Sequence, residues 1–142
     1  MSPNYNHTTP IQVRFKDFDA LGHVNNANYL TYTESARTDY IKHVLKDEID
    51  WSTSSIILAR AEINFKIPVL LDEKVVVKTR CSRIGSKSLD LSYSIVRVNG
   101  DVETEVANAI TVMVCFNYQS QETIPVPQRW KEIFIEFEDE TL

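Results

Sequence analysis

The sequence predicts an α+β domain in which a strongly bent antiparallel sheet wraps around one long helix. Three observations lead to this prediction: a single long helical pattern near the start, a run of long alternating strands after it, and turn signals between those strands. One helix cannot cover a five-stranded sheet unless the sheet curls around it. The length of 142 residues suits one domain, so we expect residues 1–142 to form a single unit.

The first predicted strand and the long helix stand on either side of a polar loop. The strand is expected in residues 11–18, where Ile11, Val13 and Phe15 alternate with polar side chains. The helix is expected from about residue 27 to about residue 46, because apolar residues recur there at helical spacing without Gly or Pro. The apolar stripe consists of Tyr29, Tyr32, Ala36, Tyr40 and Val44, widened by Leu30, Ile41 and Leu45. Asn26 is the expected N-cap, since its short side chain can accept hydrogen bonds from free backbone N–H groups.

Four strands in hairpin succession are expected next. The first has an apolar face, composed of Ile57, Ala59, Ala61, Ile63 and Phe65. Turns are predicted at Gly85–Ser86 and at Asn99–Gly100, and Asn-Gly is the strongest short hairpin signal in the chain. A short amphipathic helix is expected at about residues 126–138, packed on the sheet behind two prolines.

The composition narrows the classes of partner and compartment. The net charge of −5, from 15 Lys and Arg against 20 Asp and Glu, argues against nucleic acid as a partner. Cys81 and Cys115 lie in apolar runs and are expected to be buried, reduced thiols. The first residues lack the features of a signal peptide, and the apolar runs are too short to span a membrane. We therefore expect a soluble cytoplasmic protein with no membrane partner.

A polar cluster, "DFDALGHVNNAN", lies just before the helix. Each of its residues has an ordinary explanation in a turn or a cap. A helix start, however, presents unpaired N–H groups and a partial positive charge, which would stabilise a carbonyl oxygen as it becomes negative. A carboxylate a few residues upstream completes a minimal acyl-transfer site. Because no strong general acid accompanies it, the site suits a thioester, whose thiol leaving group has a pKa of roughly 8.5 against about 16 for water.

Other hydrolytic and nucleotide-binding patterns are absent from the sequence. It has no G-x-S-x-G nucleophile motif, no H-E-x-x-H zinc motif and no phosphate-binding loop of the G-x-x-x-x-G-K type. We therefore predict neither a metal ion nor a bound cofactor.

The cluster and the helix after it resemble the hotdog-fold acyl-CoA thioesterases of the 4-hydroxybenzoyl-CoA thioesterase family. The shared pattern is D-x-x-G-x-V, then N-Y, then A-R within the helix, with the order of strand, helix and four strands. In this chain it falls on Asp19, Gly22, Val24, Asn28, Tyr29, Ala36 and Arg37. The resemblance covers roughly residues 11–118 and implies a sheet curved around a central helix.

The resemblance implies a role for particular residues. It places the catalytic carboxylate on Asp19, and not on Asp17, as either a nucleophile or a general base. The backbone N–H that polarises the thioester carbonyl falls at or beside Asn26. Lys87, and less strongly Arg83, correspond to positions that hold the phosphates of CoA in relatives; their alternative is to be solvated charges in a hairpin.

The stretch "HVNNA" differs from the aromatic-proline stretch of several relatives. It is similar to thioesterases that act on fatty acyl chains, with His23 and Asn25 lining the site. The resemblance also implies a homodimer or homotetramer with sites between subunits. The acyl chain, and the choice between acyl-CoA and acyl-carrier-protein thioesters, stay open at this point.

Two other functions stay open. A hydratase or dehydratase of the same fold would use an acid/base pair, often His with Asp or Glu, on the β-carbon of an acyl thioester, and His23 keeps this alternative open. A non-catalytic acyl-binding protein would keep the fold and bind the ligand without cleaving it.

Overall fold

The computed structural model describes residues 4–142 and shows the predicted architecture, a curled antiparallel sheet around a long helix. The strands are β1 (His7–Ile11), β2 (Ser55–Phe65), β3 (Lys74–Ile84), β4 (Ser88–Asn99), β5 (Val102–Asn117) and the two-residue β6 (Glu122–Thr123). The helices are α1 (Asn28–Leu45) and α2 (Gln128–Glu138). The predicted fold class, α+β with the hotdog fold, is confirmed.

The order of the strands in the sheet differs from the predicted hairpin succession. The order is β1-β3-β4-β5-β2, and β6 pairs with the end of β5. The β3–β4 and β4–β5 hairpins form as expected, and Gly100 adopts φ +63° in the second turn. The strand β2 pairs with β5 and not with β3, so residues 66–73 cross from one side of the sheet to the other. This connection forms one wall of the candidate site.

The first strand lies earlier in the chain than its alternating pattern predicted. It spans His7–Ile11 and pairs with β3, whereas Phe15–Asp17 form a turn of 3₁₀ helix. Phe15 was expected on a buried face, but its side chain is 85% exposed. Alternation alone therefore placed the strand too late, and only Ile11 belongs to both the predicted and the observed strand, because the chain leaves the sheet after Ile11 to form the polar loop.

A β-bulge changes which residues of β2 face the helix. The pairing with β5 shifts between Leu58 and Arg60. As a result, Leu58 pairs with the inward-facing Met113, whereas Ile57 pairs with Val114 on the outer face. The prediction that Ile57 shares a face with Phe65 is wrong, because the extra residue of the bulge, Ala59, reverses the alternation and pairs with no residue of β5.

The core lies between α1 and the concave face of the sheet. The predicted stripe is buried except at Leu30, with Tyr29, Tyr32, Ala36 and Tyr40 each at most 3% exposed. The prediction that Leu30 widens the buried stripe is wrong, since its side chain is 44% exposed. The helix packs on β1 and β3. At the other side of the sheet, Phe65 remains 48% exposed on the same concave face. The concave face of β2 is thus only partly covered in the single chain: Ile56 is buried, whereas Leu58 and Phe65 are each 48% exposed.

The helix α2 closes the other end of α1. Trp130 and Phe134 are buried, and the Phe134 ring stacks on Tyr40 with the centroids 6.2 Å apart. The indole N–H of Trp130 donates to the Glu48 carbonyl oxygen over 3.1 Å. The helix begins two residues later than predicted, since Pro127 occupies the N-cap position.

Both cysteines are buried and unpaired, as predicted. Burial raises the pKa of the Cys81 thiol to about 12 and that of the Cys115 thiol to about 11, so neither thiol ionises readily at neutral pH. Within residues 4–142, no helix is both long and apolar enough to cross a membrane.

Candidate active site

The polar loop before α1 folds as a small, tight hairpin. Phe18 and Val24 form an antiparallel bridge, and the Asp19 N–H donates to the His23 carbonyl oxygen over 2.9 Å. At the tip, Gly22 has φ +77° and its N–H donates to the Asp19 carbonyl oxygen over 3.1 Å. Glycine suits this position because other L-residues rarely adopt a positive φ. The loop therefore holds Asp19 and His23 beside each other.

The β2–β3 connection holds this loop from one side. The Val24 N–H donates to the Val69 carbonyl oxygen over 2.9 Å, and His23 forms an isolated bridge with Leu70. Since Val69 is fully buried, the connection gives the loop a fixed support. The crossover of the chain between β2 and β3 thus positions the site.

Asp19 has one oxygen held by the loop and one oxygen free. Its Oδ1 accepts hydrogen bonds from the Leu21 N–H over 2.9 Å and, more weakly, from the His23 N–H over 3.4 Å. Its Oδ2 accepts no hydrogen bond from any residue in 4–142, and the side chain is exposed. The fixed oxygen orients the carboxylate, and the free oxygen is available to react.

Asp19 opens onto a cavity of about 440 Å³ at the start of α1. The cavity combines the polar residues of the loop with an apolar wall from α1 and the β2–β3 connection. Its lining consists of Asp19, Leu21, His23, Val24, Asn25, Asn26, Tyr29, Phe65, Lys66, Ile67 and Pro68. The predicted residues Asp19, His23, Asn25 and Asn26 are therefore brought to one cavity.

The start of α1 leaves one backbone N–H group unpaired. The prediction that Asn26 is the N-cap is wrong: Ala27 occupies that position, and the Asn25 side-chain oxygen accepts the Ala27 N–H over 3.0 Å. The Asn28 N–H donates to the Asn25 carbonyl oxygen over 2.9 Å. Among residues 4–142, nothing accepts the Asn26 N–H. This N–H lies at the positive end of the helix dipole and is suited to bind a developing oxyanion.

His23 and Asn25 contribute differently to this cavity. The half-buried His23 ring lines it without a hydrogen bond to another described side chain. The Asn25 side-chain oxygen accepts the Ala27 N–H, and the Asn25 backbone N–H donates to the Asp17 carbonyl oxygen over 2.8 Å. Among residues 4–142, no group of three or more His, Cys, Asp and Glu side chains is arranged to hold a metal ion.

A model of the thioesterase-like superfamily matches residues 13–134 of the chain. The chain belongs to the thioesterase-like superfamily. The predicted family, a hotdog-fold thioesterase, is thereby confirmed.

Two relatives are similar to the chain over nearly its full length. The long-chain acyl-CoA thioesterase FadM of Escherichia coli (strain K12) is 29% identical over 128 residues, which cover 87% of this chain and 93% of FadM. The 1,4-dihydroxy-2-naphthoyl-CoA hydrolase of Nostoc punctiforme is 30% identical over 140 residues, which cover 93% of this chain and 88% of that hydrolase.

Solved structures of the superfamily agree with the fold. A thioesterase from Thermus thermophilus, complexed with coenzyme A and Zn, has a TM-score of 0.82 and 29% identity over 97% of this chain and 98% of its own. A mutant of 4-hydroxybenzoyl-CoA thioesterase complexed with 4-hydroxybenzoyl-CoA has a TM-score of 0.80, with 90% of this chain and 97% of that chain covered. At 18% identity, this second likeness shows the shared fold alone.

The two basic residues expected to bind the phosphates of CoA lie away from the cavity. Arg83 and Lys87 flank the β3–β4 turn, where Ser88 pairs with Val114. Val114 pairs with Ile57, and Phe65 in the cavity lies eight positions further along β2, which is about 26 Å in a strand. The single chain therefore does not bring these basic residues and Asp19 together.

The two basic residues also differ in their availability. The Arg83 guanidinium makes two hydrogen bonds of 3.0 Å to the Asp90 carboxylate. The Lys87 side chain is exposed and makes no hydrogen bond to residues 4–142. Lys87 is thus the freer of the two cations.

A residue that the sequence analysis set aside, Asp17, is buried beneath the site. Its side chain is 1% exposed, and its carboxylate accepts hydrogen bonds from Arg14 and from the Tyr32 hydroxyl. Burial by itself would raise the pKa of Asp17, but the hydrogen bonds from Arg14 and Tyr32 outweigh it and hold that pKa below its usual value. No local pattern distinguishes it from Asp19, since both are loop aspartates next to Phe18.

Proposed function

We propose that the protein is an acyl-CoA thioesterase that converts an acyl-CoA and water into a free acid and CoA. One observation carries this proposal: the free Asp19 Oδ2 and the unpaired Asn26 N–H belong to the same cavity at the start of α1. Superfamily membership and the acyl-CoA-cleaving relatives support the same reaction.

The reaction needs an attacking group and a site for negative charge. As a nucleophile, Asp19 Oδ2 attacks the thioester carbon, the C–S bond breaks, CoA leaves as thiolate, and water then hydrolyses the mixed anhydride. As a general base, Asp19 instead takes a proton from the water that attacks the same carbon. Both routes pass through an oxyanion that the Asn26 N–H and the helix dipole stabilise. Both routes stay open.

The leaving group explains why the site can work without a strong acid. A thiol has a pKa of roughly 8.5, so CoA can depart as an anion near neutral pH. His23 and the remaining amide group of Asn25 line the cavity and are proposed to orient the substrate or the water.

We propose a fatty acyl group as the substrate class. The cavity wall presents Leu21, Tyr29, Phe65 and Ile67, which offer apolar surface next to Asp19. The relative FadM, named as a long-chain acyl-CoA thioesterase, is consistent with this class. The Nostoc relative is named for an aromatic acyl group, so aromatic acyl-CoAs belong in the test.

The working form is proposed to be a homodimer, or a homotetramer built from it. The strand β2 is an edge of the sheet, and its concave face is left exposed at Leu58 and Phe65, both 48% exposed. If two copies pair along β2 around a two-fold axis, the Ser55 end of one strand lies beside the Phe65 end of the other. Lys87 of the partner subunit then approaches the cavity and can hold a CoA phosphate, with Arg83 beside it.

A thiol-release assay across short, medium, long and aromatic acyl-CoAs tests the function. We expect cleavage of fatty acyl-CoAs, with a loss of about a hundredfold or more in Asp19→Asn. Asp101→Asn is the matched control, since Asp101 is an exposed aspartate at the tip of the β4–β5 hairpin. Equal activity in wild type and Asp19→Asn would contradict the role of Asp19.

Thiol release, combined with an absorbance and a binding measurement, separates thioester cleavage from the two alternative functions. Incubation with an enoyl-CoA that changes its absorbance without release of thiol would indicate a hydratase, in which His23 and Asp19 act on the β-carbon. Binding of acyl-CoA without any reaction would indicate an acyl-binding protein.

A further inference from the structure

Asp17 connects three parts of the candidate site although it does not line the cavity. We infer that Asp17 is a positioning residue, which fixes the Asp19 carboxylate and the Asn26 N–H relative to each other by hydrogen bonds from both its backbone and its side chain. This inference rests on the proposed thioesterase function and adds a determinant of its rate.

The backbone of Asp17 holds the loop against the helix start. Its carbonyl oxygen accepts the Asn25 N–H over 2.8 Å and the Asn28 side-chain amide over 2.9 Å. Asn25 directly precedes the proposed oxyanion donor, Asn26. Asn28 is the first residue of α1, so one oxygen atom joins the loop to the helix.

The side chain of Asp17 fixes that oxygen in place. Oδ2 accepts the Arg14 N–H over 2.9 Å and the Tyr32 hydroxyl over 2.8 Å, and Oδ1 accepts the Arg14 guanidinium over 3.0 Å. Tyr32 is 3% exposed and lies one turn further along α1 than Asn28. The carboxylate is therefore attached to the same helix as the carbonyl, which leaves Asp17 little freedom to move.

The position of Asp17 in the chain transmits this rigidity to the reacting groups. Asp19 follows two residues later, and its N–H bonds to His23 on the returning strand of the same small hairpin. We call the hydrogen bonds of Asp17 to Arg14, Asn25, Asn28 and Tyr32 the clamp. The Asp19 carboxylate and the Asn26 N–H, which act on the thioester carbonyl, are attached to the two sides of this clamp. Because a displacement of about 1 Å in a catalytic group can cost roughly a hundredfold in rate, a looser clamp should lower kcat.

Tyr32→Phe tests the inference by removing one hydroxyl group from the clamp. We expect kcat to fall about tenfold while KM changes less than about twofold, since the cavity wall is unchanged and only the reacting geometry loosens. Thr9→Val is the matched control. The Thr9 hydroxyl also donates to an aspartate, Asp39 on α1, over 2.6 Å, but far from the loop.

The comparison separates a positioning role from a structural one. A merely structural role predicts that Tyr32→Phe and Thr9→Val lose stability alike and keep the kcat of wild type, and this result would overturn the inference. If Tyr32→Phe fails to fold, Asn28→Ala is the second test, because it removes the side-chain amide that donates to the Asp17 carbonyl oxygen at a half-buried position. We expect Asn28→Ala also to lower kcat about tenfold. An unchanged kcat would overturn the inference.

The result can also be distinguished from a failure of the proposed function. If the wild type releases no thiol from any acyl-CoA, the thioesterase proposal fails and the inference fails with it. If the wild type and Thr9→Val cleave acyl-CoA equally and the clamp variants do as well, only the inference fails.

Discussion

The hydroxyl group of Tyr40 joins three elements at the far end of the core from the site. The side chain is fully buried, and its oxygen donates to Glu138 Oε1 on α2 over 2.7 Å. The same oxygen accepts the Cys81 N–H on β3 over 3.0 Å. One atom therefore links α1 by hydrogen bonds to both α2 and β3, and Tyr40→Phe removes that atom alone.

The expected loss of stability follows from the two buried groups that lose their hydrogen bond to the Tyr40 oxygen, the Glu138 carboxylate and the Cys81 N–H. Glu138 is 5% exposed, and within residues 4–142 its Oε2 has no partner even in the wild type. A buried donor or acceptor without a partner costs about 1–3 kcal/mol, and a charged one costs more. For Glu138 and the Cys81 N–H together we expect a loss of about 4 kcal/mol, a large part of the roughly 5–15 kcal/mol that stabilises a domain.

The loss should depend on pH, with a definite sign. Burial raises the pKa of Glu138, and the hydrogen bond from Tyr40 acts against that rise. A carboxyl group with a raised pKa favours the folded state most at low pH, and that contribution is lost as the pH rises through its folded pKa. Because Tyr40→Phe removes the donor and raises the pKa of Glu138 further, its defect should be larger at about pH 8 than at about pH 5.

Urea unfolding of both proteins at the two pH values measures this difference. Tyr118→Phe is the control, since the Tyr118 side chain is 45% exposed and we expect a change within about 0.5 kcal/mol. The reasoning is refuted if Tyr40→Phe loses less than about 1 kcal/mol at both pH values, or if its defect grows as the pH falls.

Three further predictions concern the polar loop before α1, the start of α1 and the proposed contact between Lys87 and a CoA phosphate. Gly22→Ala should lower the free energy of unfolding by about 1 kcal/mol and lower kcat. Gly100→Ala is the control, because Gly100 also has a positive φ and no atom near the added Cβ; it should lose the same stability and keep kcat. Equal kcat values for the two variants would contradict this prediction. Asn25→Ala should lose about 1 kcal/mol in urea unfolding, because it removes the side-chain oxygen that accepts the Ala27 N–H at the start of α1. Asn26→Ala should lose much less, and equal losses would contradict this prediction. Lys87→Ala should raise KM for an acyl-CoA about fivefold but leave KM for the matching acyl-pantetheine thioester unchanged, and a parallel rise for both substrates would exclude a phosphate contact.

Local patterns in the sequence were sufficient to predict the helix and four polar residues of the cavity, but not the residues that β2 and the β2–β3 connection contribute to its wall. The apolar stripe of α1 repeats every three to four residues, and such a face must be buried wherever the sheet lies. Asp19, His23, Asn25 and Asn26 lie within eight residues of each other, so a short loop had to bring them near the same helix start. The turn at Gly100 was likewise predictable, because its geometry depends on adjacent residues.

The sequence by itself thus determined the long helix, the strand-rich remainder and the loop that carries the carboxylate proposed to be catalytic. Only the tertiary structure decided that Asp17 is buried and Asp19 exposed, because the burial of Asp17 depends on Tyr32, which lies a helix turn beyond the loop. It also decided that β2 pairs with β5, that a bulge reverses part of β2, and that Lys87 lies far from the cavity in one chain. These features arise from pairing between segments that are distant in the sequence. A local pattern of residue types does not determine which distant segments pair.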